Sequence, residues 1–418
     1  MIRKTLSIGA FSVLLVSCAG DAPAGDASAG DTPRVLAVSM EAVASPAGPK
    51  SGEPFVSASG DHIYMSWLEA SAEGGHDLRF ARFDGTDWTP AATIAHSESF
   101  FVNWADFPSL TPSPDGTLWA HWLQRGQDGG YDYGVRVARS SDEGATWSEP
   151  WTPHDDESPT EHGFVSALAT DDGMGFVWLD GRTYAAGADG SEPRREMTLR
   201  YRVAGTAGLP GPETLLDGRV CDCCQTDAAM AASGPVVVYR NRSDAEIRDI
   251  YITRMVDGVW TEGAPVHGDG WEIAGCPVNG PAVVAEGREV AVAWFTAAGD
   301  VPHVKVAFSS DGGATFGAPT VVDGGNPAGR VDLVRTQTGS VLVSWLERTG
   351  GENAEVRLRE VSGDGTTSES VTLTGSSAER ASGFPRMVEA PDGTLLMAWT
   401  DVIGDAPQVR VTRIERER

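Results

Sequence analysis

One pattern of apolar and polar positions occurs seven times along the chain. In each copy an alternating apolar run, typical of a half-buried strand, ends in an aromatic residue, and a polar residue follows two positions later. The aromatic residues are Trp67, Trp122, Trp178, Tyr239, Trp294, Trp345 and Trp399. Their spacings are 55, 56, 61, 55, 51 and 54 residues, which indicates a repeated unit.

Each unit has room for four strands. A short first strand leads into a glycine turn such as Pro391-Asp392-Gly393, the second strand carries the aromatic residue, and the third alternates with period two, as at 409–414. Units of about 50 residues with several strands each are typical of a β-propeller. The sequence therefore predicts an all-β, seven-bladed β-propeller, with six blades as the alternative if a unit near the 61-residue step is misread.

The last unit ends after its third strand, whereas the apolar run at 35–43 has no unit of its own. We expect this N-terminal run to supply the missing fourth strand, because ring closure removes open sheet edges. The prediction is one propeller domain over residues 34–418.

The N-terminus has the features of an export signal. Arg3 and Lys4 precede an apolar stretch at 6–16 that is too short to span a membrane. The ending Leu-x-Ser-Cys resembles the bacterial lipoprotein signal, which implies residues 1–18 as signal peptide with its lipobox and Cys18 as the lipidated residue. The resemblance further implies anchoring in the outer membrane, on either its periplasmic or its cell-surface side. Residues 19–33 are rich in Ala, Gly, Asp and Pro, which predicts a flexible tether.

The formal net charge of -27 and the pI near 4.6 disfavour nucleic acid and anionic lipid as partners. We expect a monomer that contacts the membrane only through its lipid.

Two turns between third and fourth strands share a motif. Residues 140–147 and 309–316 both fit Ser-x-Asp-x-Gly-x-Thr-aromatic, at a distance of 169 residues or three units. The motif resembles the Asp box, or BNR repeat, of sialidases and related propellers. By this resemblance Asp142 and Asp311 have structural roles, on the face opposite any binding site.

We call the other face the mouth. It carries the loops that lead into each first strand and those that join second to third strands, so binding is expected there. Its polar residues either form a charged funnel for a polar ligand or simply satisfy backbone groups at strand ends. The candidates are Glu69, Arg125, His162, Asp180, Arg182, Asn241, Arg242, Asp244, Arg248, Glu347, Arg348, Arg386 and Asp401.

Four cysteines lie near the mouth: Cys221, Cys223, Cys224 and Cys276. Aligning blades four and five on their turn glycines places Cys223 on Cys276 and, in blade three, His162 at the same position. An even cysteine count in an exported protein favours disulfides, including one between Cys276 and the 221–224 segment. The alternative is a copper or zinc site of clustered thiolates that His162 could complete.

The resemblance to sialidases implies three arginines around a substrate carboxylate, a Tyr/Glu pair as nucleophile and an Asp as the catalytic acid. The family motif Phe/Tyr-Arg-Ile-Pro is absent, and Phe384-Pro385-Arg386 differs in order and lies at the opposite end. We therefore expect a lipoprotein that binds a glycan, another polar ligand or a protein partner at its mouth. The alternatives are a sialidase-like glycoside hydrolase, and a metal-binding or redox propeller that uses its cysteines.

Overall fold

The computed structural model describes residues 34–185, 191–402 and 406–416. The predicted signal peptide, Cys18 and the tether lie outside the described residues. None of the described helices is long and apolar enough to cross a membrane.

The protein is a seven-bladed β-propeller, which confirms the predicted fold. The first strand of the chain is β1 (Val38–Val43), and blade one follows it. Blade one contains β2 (Ser51–Ser59), β3 (His62–Ala70), β4 (His76–Phe83) and β5 (Ala92–Ser97). Blade two contains β6 (Ser109–Pro112), β7 (Leu118–Arg125) and β8 (Tyr133–Ser140). Blade three contains β9 (His162–Thr170), β10 (Gly173–Asp180), β11 (Met197–Gly205) and β12 (Thr214–Val220).

The remaining blades repeat this order. Blade four contains β13 (Asp227–Ala231), β14 (Gly234–Arg240), β15 (Ile250–Val256), β16 (Val259–Trp260) and β17 (Ala264–Pro265). Blade five contains β18 (Ala282–Glu286), β19 (Glu289–Thr296), β20 (His303–Ser309) and β21 (Thr320–Val321). Blade six contains β22 (Pro327–Arg335), β23 (Val341–Gly350), β24 (Asn353–Val361) and β25 (Val371–Ser377). Blade seven contains β26 (Arg386–Glu389), β27 (Leu395–Asp401) and β28 (Gln408–Arg416). Short 3-10 helices lie at Arg182–Tyr184, Ala298–Asp300 and Arg380–Ser382.

The second strand of each blade carries the repeated aromatic residue because that strand has neighbours on both edges and packs against the adjacent blades. Every residue of β10 is buried. The indole of Trp345 packs with Ala293 and Val306 of blade five and with Val343 of its own blade. Large rings thus fill the wedges between sheets, and each interblade core is built from two neighbouring repeats.

The N-terminal strand closes the ring, as predicted. β1 pairs antiparallel with β28, from Val38 opposite Arg416 to Val43 opposite Val411. The strand begins three residues later than the sequence pattern predicts, and Leu36 just before it is buried against blades six and seven. Blade seven therefore has four strands, one of them from the other end of the chain.

The two motif turns are held by their aspartates. Asp142 accepts hydrogen bonds from the Ser140 hydroxyl at 2.7 Å and from the Thr146 amide at 2.9 Å. Asp311 makes the same contacts with Ser309 and Thr315, at 2.7 and 2.9 Å. Hydrogen bonds from Ser140 and Thr146 lower the pKa of Asp142 to about 2.

Closure by β1 can be tested by truncation. Deletion of residues 19–43 should lower the free energy of unfolding by roughly 3–5 kcal/mol, because each backbone hydrogen bond of the lost pair contributes about 1 kcal/mol. The control is deletion of 19–33, which leaves β1 in place and should not change stability. Equal denaturation midpoints for the two truncated proteins would contradict a stabilising role for β1.

Candidate functional site

Three of the candidate carboxylates are hydrogen-bonded to the repeated tryptophans. Indole nitrogens donate to carboxylates two residues later, from Trp67 to Glu69 at 3.0 Å, from Trp178 to Asp180 at 2.9 Å and from Trp345 to Glu347 at 2.6 Å. Glu69 and Glu347 also accept hydrogen bonds from loop amides of the mouth. These side chains hold loops against strand ends and are engaged within the protein.

His162 lies at the mouth end of blade three. Its Nδ1 contacts the carbonyl oxygen of Thr160 and its Nε2 contacts Asp156, each at 3.0 Å. Asp180, 3.8 Å from the same Nε2, is bound by the guanidinium of Arg182 through two hydrogen bonds of 2.7 Å. Because both ring nitrogens already have partners, His162 does not join the cysteines as the sequence alternative proposed.

A cleft of about 490 Å³ opens on the mouth between blades two and three. We call it the mouth cleft. His162 and His154 stack at its wall with ring centroids 4.0 Å apart, and Arg125 and Arg136 line it. The Arg125 guanidinium lies 4.7 Å over the ring of Phe101. Among the described residues no carboxylate forms an ion pair with either arginine, which leaves two positive charges facing the cleft.

Tyr133 of the mouth cleft links two carboxyl groups that sequence reasoning missed. Its hydroxyl lies 2.7 Å from Asp106 and 2.7 Å from Glu161. One hydroxyl proton serves only one of these contacts, so the second requires a proton on a carboxyl group. Burial raises the pKa of Asp106 to about 7 and that of Glu161 to about 8. The Phe164 amide also donates to Asp106, and a Cβ at Gly163 would come within 2.0 Å of its carboxylate, so that position requires glycine.

The cysteines of blades four and five meet, as their alignment predicts. The sulfurs of Cys221, Cys223 and Cys224 all lie within 4.8 Å of one another, and the influence of Cys223 lowers the pKa of the neighbouring Cys276 thiol. The sulfurs of Cys221 and Cys224 are 3.6 Å apart. All four residues are free thiols, so the predicted disulfides are not formed in this structure. A disulfide bond requires sulfurs about 2.05 Å apart, and the observed spacing is larger.

Buried arginines surround this cluster. Arg248 donates from Nη1 to the sulfur of Cys221 at 3.3 Å. Arg240 donates to the carbonyl oxygens of Asn279, Phe295 and Arg248 and is itself buried. Spacing alone could not identify Arg240, because it lies at the end of a strand, where polar residues are common.

The thiols therefore differ in acidity. Hydrogen bonds from Cys223 and Cys224, and then the charges of Arg240 and Arg248, hold the pKa of Cys221 well below its usual range. Burial raises the pKa of Cys224 to about 12. A lowered pKa favours the thiolate, which is the form of cysteine that binds a soft metal ion.

Three arginines do converge at the mouth, on a carboxylate of the chain itself. Glu246 pairs with Arg242 at 2.8 Å, with Arg248 at 2.7 Å and with Arg219 at 3.8 Å. Arg219 also pairs with the exposed Asp244. Hydrogen bonds from Arg242 lower the pKa of Glu246 to about 2, so it stays charged. The three guanidinium groups are therefore already engaged by carboxylates of the chain.

The other candidates are distributed around the ring. Asp401 pairs with an arginine of blade seven at 3.4 Å, and Arg348 is exposed at the end of its strand. Arg386 lies in the central channel, 5.1 Å over the ring of Phe55. The backbone of Asn241 pairs with that of the blade-four loop. The structure thus brings together two groups, the mouth cleft and the cysteine cluster.

No protein-family model matches this sequence, and no functionally curated protein is significantly similar to it. Among solved structures, a protein of unknown function from Dyadobacter fermentans is 17% identical over 91% of this chain and 99% of that chain, with a TM-score of 0.51. Polysaccharide lyase Uly1 is 12% identical over 86% and 89%, with a TM-score of 0.52. Trypanosoma rangeli sialidase is 13% identical over 90% and 59%, with a TM-score of 0.47. The first two similarities show a shared propeller fold.

The proton shared by Asp106, Tyr133 and Glu161 predicts a pH-dependent stability. Carboxyl groups with raised pKa stabilise the fold fully below their ordinary pKa near 4, and this contribution is lost as the pH rises through about 7 and 8. The free energy of unfolding should therefore fall between about pH 4 and pH 8, by up to about 1.4 kcal/mol per pH unit for each proton.

In Glu161→Gln the free energy of unfolding should fall less steeply as the pH rises. Denaturant unfolding at a series of pH values measures it, with Glu157→Gln as the control because Glu157 is an exposed carboxylate of the same cleft. Parallel curves for the wild type and Glu161→Gln would show that no proton is retained there.

Proposed function

We propose that the mouth cleft binds a glycan or another polar ligand that carries a negative charge. The observation that carries this proposal is the pair Arg125 and Arg136, which face the cleft without a carboxylate partner among the described residues. Guanidinium groups that no carboxylate of the chain neutralises remain available to pair with a carboxylate or sulfate of a ligand.

The size and lining of the cleft fit such a ligand. Its volume of about 490 Å³ lies within the usual range of ligand pockets, about 300–1,000 Å³. Carboxylates and a hydroxyl at its rim, such as Asp132, Asp156 and Ser158, offer hydrogen bonds to sugar hydroxyl groups. One structural neighbour of the same fold, Uly1, is a polysaccharide lyase, which supports a glycan as the first ligand class to test.

Ligand binding is the main function that we propose for the mouth cleft, and catalysis is the second candidate. The contact of Tyr133 with Glu161, and the proton held there, favour glycan processing as the second function, because a retained proton near neutral pH suits a general acid. However, Tyr133 and Asp106 are each only 2% exposed. A sugar ring cannot reach the tyrosine hydroxyl without movement of the loops above it.

A ligand panel tests the proposal. We expect the protein to bind oligosaccharides that contain uronic or sialic acids more tightly than neutral oligosaccharides of equal length. Calorimetry measures the affinities. Arg125→Ala and Arg136→Ala should each weaken binding by roughly tenfold or more, since a hydrogen bond to a charged group contributes about 1.5–3 kcal/mol. Arg348→Ala, which removes another exposed arginine at a strand end on blade six, should have no effect.

Equal affinity for neutral and acidic glycans would contradict the role of the arginine pair. No binding across the panel, with the protein folded, would contradict a glycan ligand.

We further propose that the protein is anchored in the outer membrane through a lipid on Cys18, on the basis of the Leu-x-Ser-Cys signal. Cys18→Ser should abolish incorporation of labelled palmitate and release the protein into the soluble fraction, because a lipid chain then no longer holds it. Labelling that persists in Cys18→Ser would contradict this anchor.

A further inference from the structure

We propose that Cys221, Cys223 and Cys224 form a three-coordinate site for Cu(I), and that Cys276 is the thiol through which the ion enters. The site is separate from the mouth cleft and its function is independent of the glycan proposal. Spacing, ligand number, charge and access each support it.

The spacing of the sulfurs fits ligands of one ion. Thiolates bound to a single metal by bonds of about 2.3 Å lie roughly 3.8 Å apart at tetrahedral angles and roughly 4.0 Å apart in a trigonal plane. The sulfurs of Cys221 and Cys224 are 3.6 Å apart, and Cys223 lies within 4.8 Å of both. Movements of about 1 Å or less would bring all three to bonding distance of a common centre.

The number and type of ligands favour Cu(I) over zinc. Among the described residues, the group that could hold an ion consists of these three thiols and includes no histidine or carboxylate. Structural zinc sites take four ligands. Three soft thiolates, with Cys276 outside their group, suit a monovalent, thiophilic ion that accepts three-coordination. His162, the histidine at the equivalent position of blade three, has both ring nitrogens engaged elsewhere.

The charges around the cluster fit a bound anion complex. Cu(I) with three thiolates carries a net charge of -2, which is costly to bury unless it is paired. Arg248 donates to the sulfur of Cys221 at 3.3 Å, and the guanidinium of the buried Arg240 donates to the carbonyl oxygen of Arg248 at 2.6 Å. Arg240 forms no ion pair with a carboxylate among the described residues, whereas Arg248 also pairs with Glu246 at 2.7 Å, so the two guanidinium groups offset part of the negative charge of the complex. Arg242 is already paired with Asp222 and Glu246.

The sulfurs are held by a rigid frame. The amide of Cys221 donates to the carbonyl oxygen of Arg240 at 2.9 Å. Gln225, directly after the last cysteine, donates to the Ala105 carbonyl of blade two and accepts from the Gly280 amide of blade five. Because the segment is fixed on both sides, little conformational entropy remains to be lost when an ion binds.

Access is provided by Cys276. It is exposed, whereas Cys223 is half-buried and Cys221 and Cys224 are buried, so it is the most accessible of the four thiols. An ion delivered from outside would first form a bond with the Cys276 sulfur and then exchange it for bonds with the three inner sulfurs. The oxidation state does not change, and each thiol that still carries a proton releases it to solvent as its Cu–S bond forms.

Titration of the full chain with Cu(I) tests the site. In a Cys18→Ser background under anaerobic reducing conditions, competition with a chromogenic Cu(I) chelator should give one Cu(I) per chain. Cys221→Ser and Cys224→Ser should weaken binding by roughly 100-fold or more, because each removes one of three soft ligands. Melting curves without metal establish that each variant is folded, and Cys223→Ser serves as a third ligand variant if one of them is not.

Cys276→Ser distinguishes an entry thiol from a ligand. Its equilibrium affinity should stay within a few-fold of that of the parent, while its rate of Cu(I) uptake from the chelator should fall. Tighter binding of Zn(II), measured by competition and dependent on all four cysteines, would overturn the copper assignment. Four masked thiols by mass spectrometry in the exported protein would overturn the metal site. Neither result affects glycan binding, which is measured on the metal-free protein.

Discussion

The antiparallel pairing of β1 with β28 is the contact on which the ring depends. A propeller blade buries its apolar faces only if another blade stands on each side, so an incomplete last blade would expose both a sheet edge and an interblade core. Blade seven takes its outermost strand from the N-terminus. The outer edge of β28 is therefore paired with β1, and Leu36 is buried against blade six. The wedges between all seven blades are then equivalent, and each is filled by aromatic residues of the second strands.

Closure also decides which residues meet. First strands of successive blades lie side by side around the channel, so loops some 50 residues apart in sequence become neighbours. This is why Cys276 lies near Cys223, and why Asp106, which precedes blade two, accepts a hydrogen bond from the Phe164 amide at the entrance of blade three. The two functional candidates of the mouth are therefore both interblade features, one between blades two and three and the other between blades four and five.

Features that repeat from blade to blade could be predicted from the sequence, and features that occur only once could not. The blade number, the strand borrowed from the N-terminus and the meeting of Cys223 with Cys276 all follow from aligning repeats. The partners of Tyr133 carry no periodic signal, because Asp106 and Glu161 lie in loops of irregular length. Spacing also could not show that Glu246 lies at the centre of an arginine cluster. Nor could it show that both ring nitrogens of His162, the histidine aligned with the cysteines, already have partners.

The direction of the closing pair sets how the ring would respond to mechanical load. Val38 and Arg416 face each other at one end of the β1–β28 pair, so both chain ends leave from the same end of the ladder. A force that separates the two termini would break the hydrogen bonds of this pair one after another, starting there, as in a zipper. Under a force of this direction, opening of the ring would therefore begin at the pair that seals it, in blade seven.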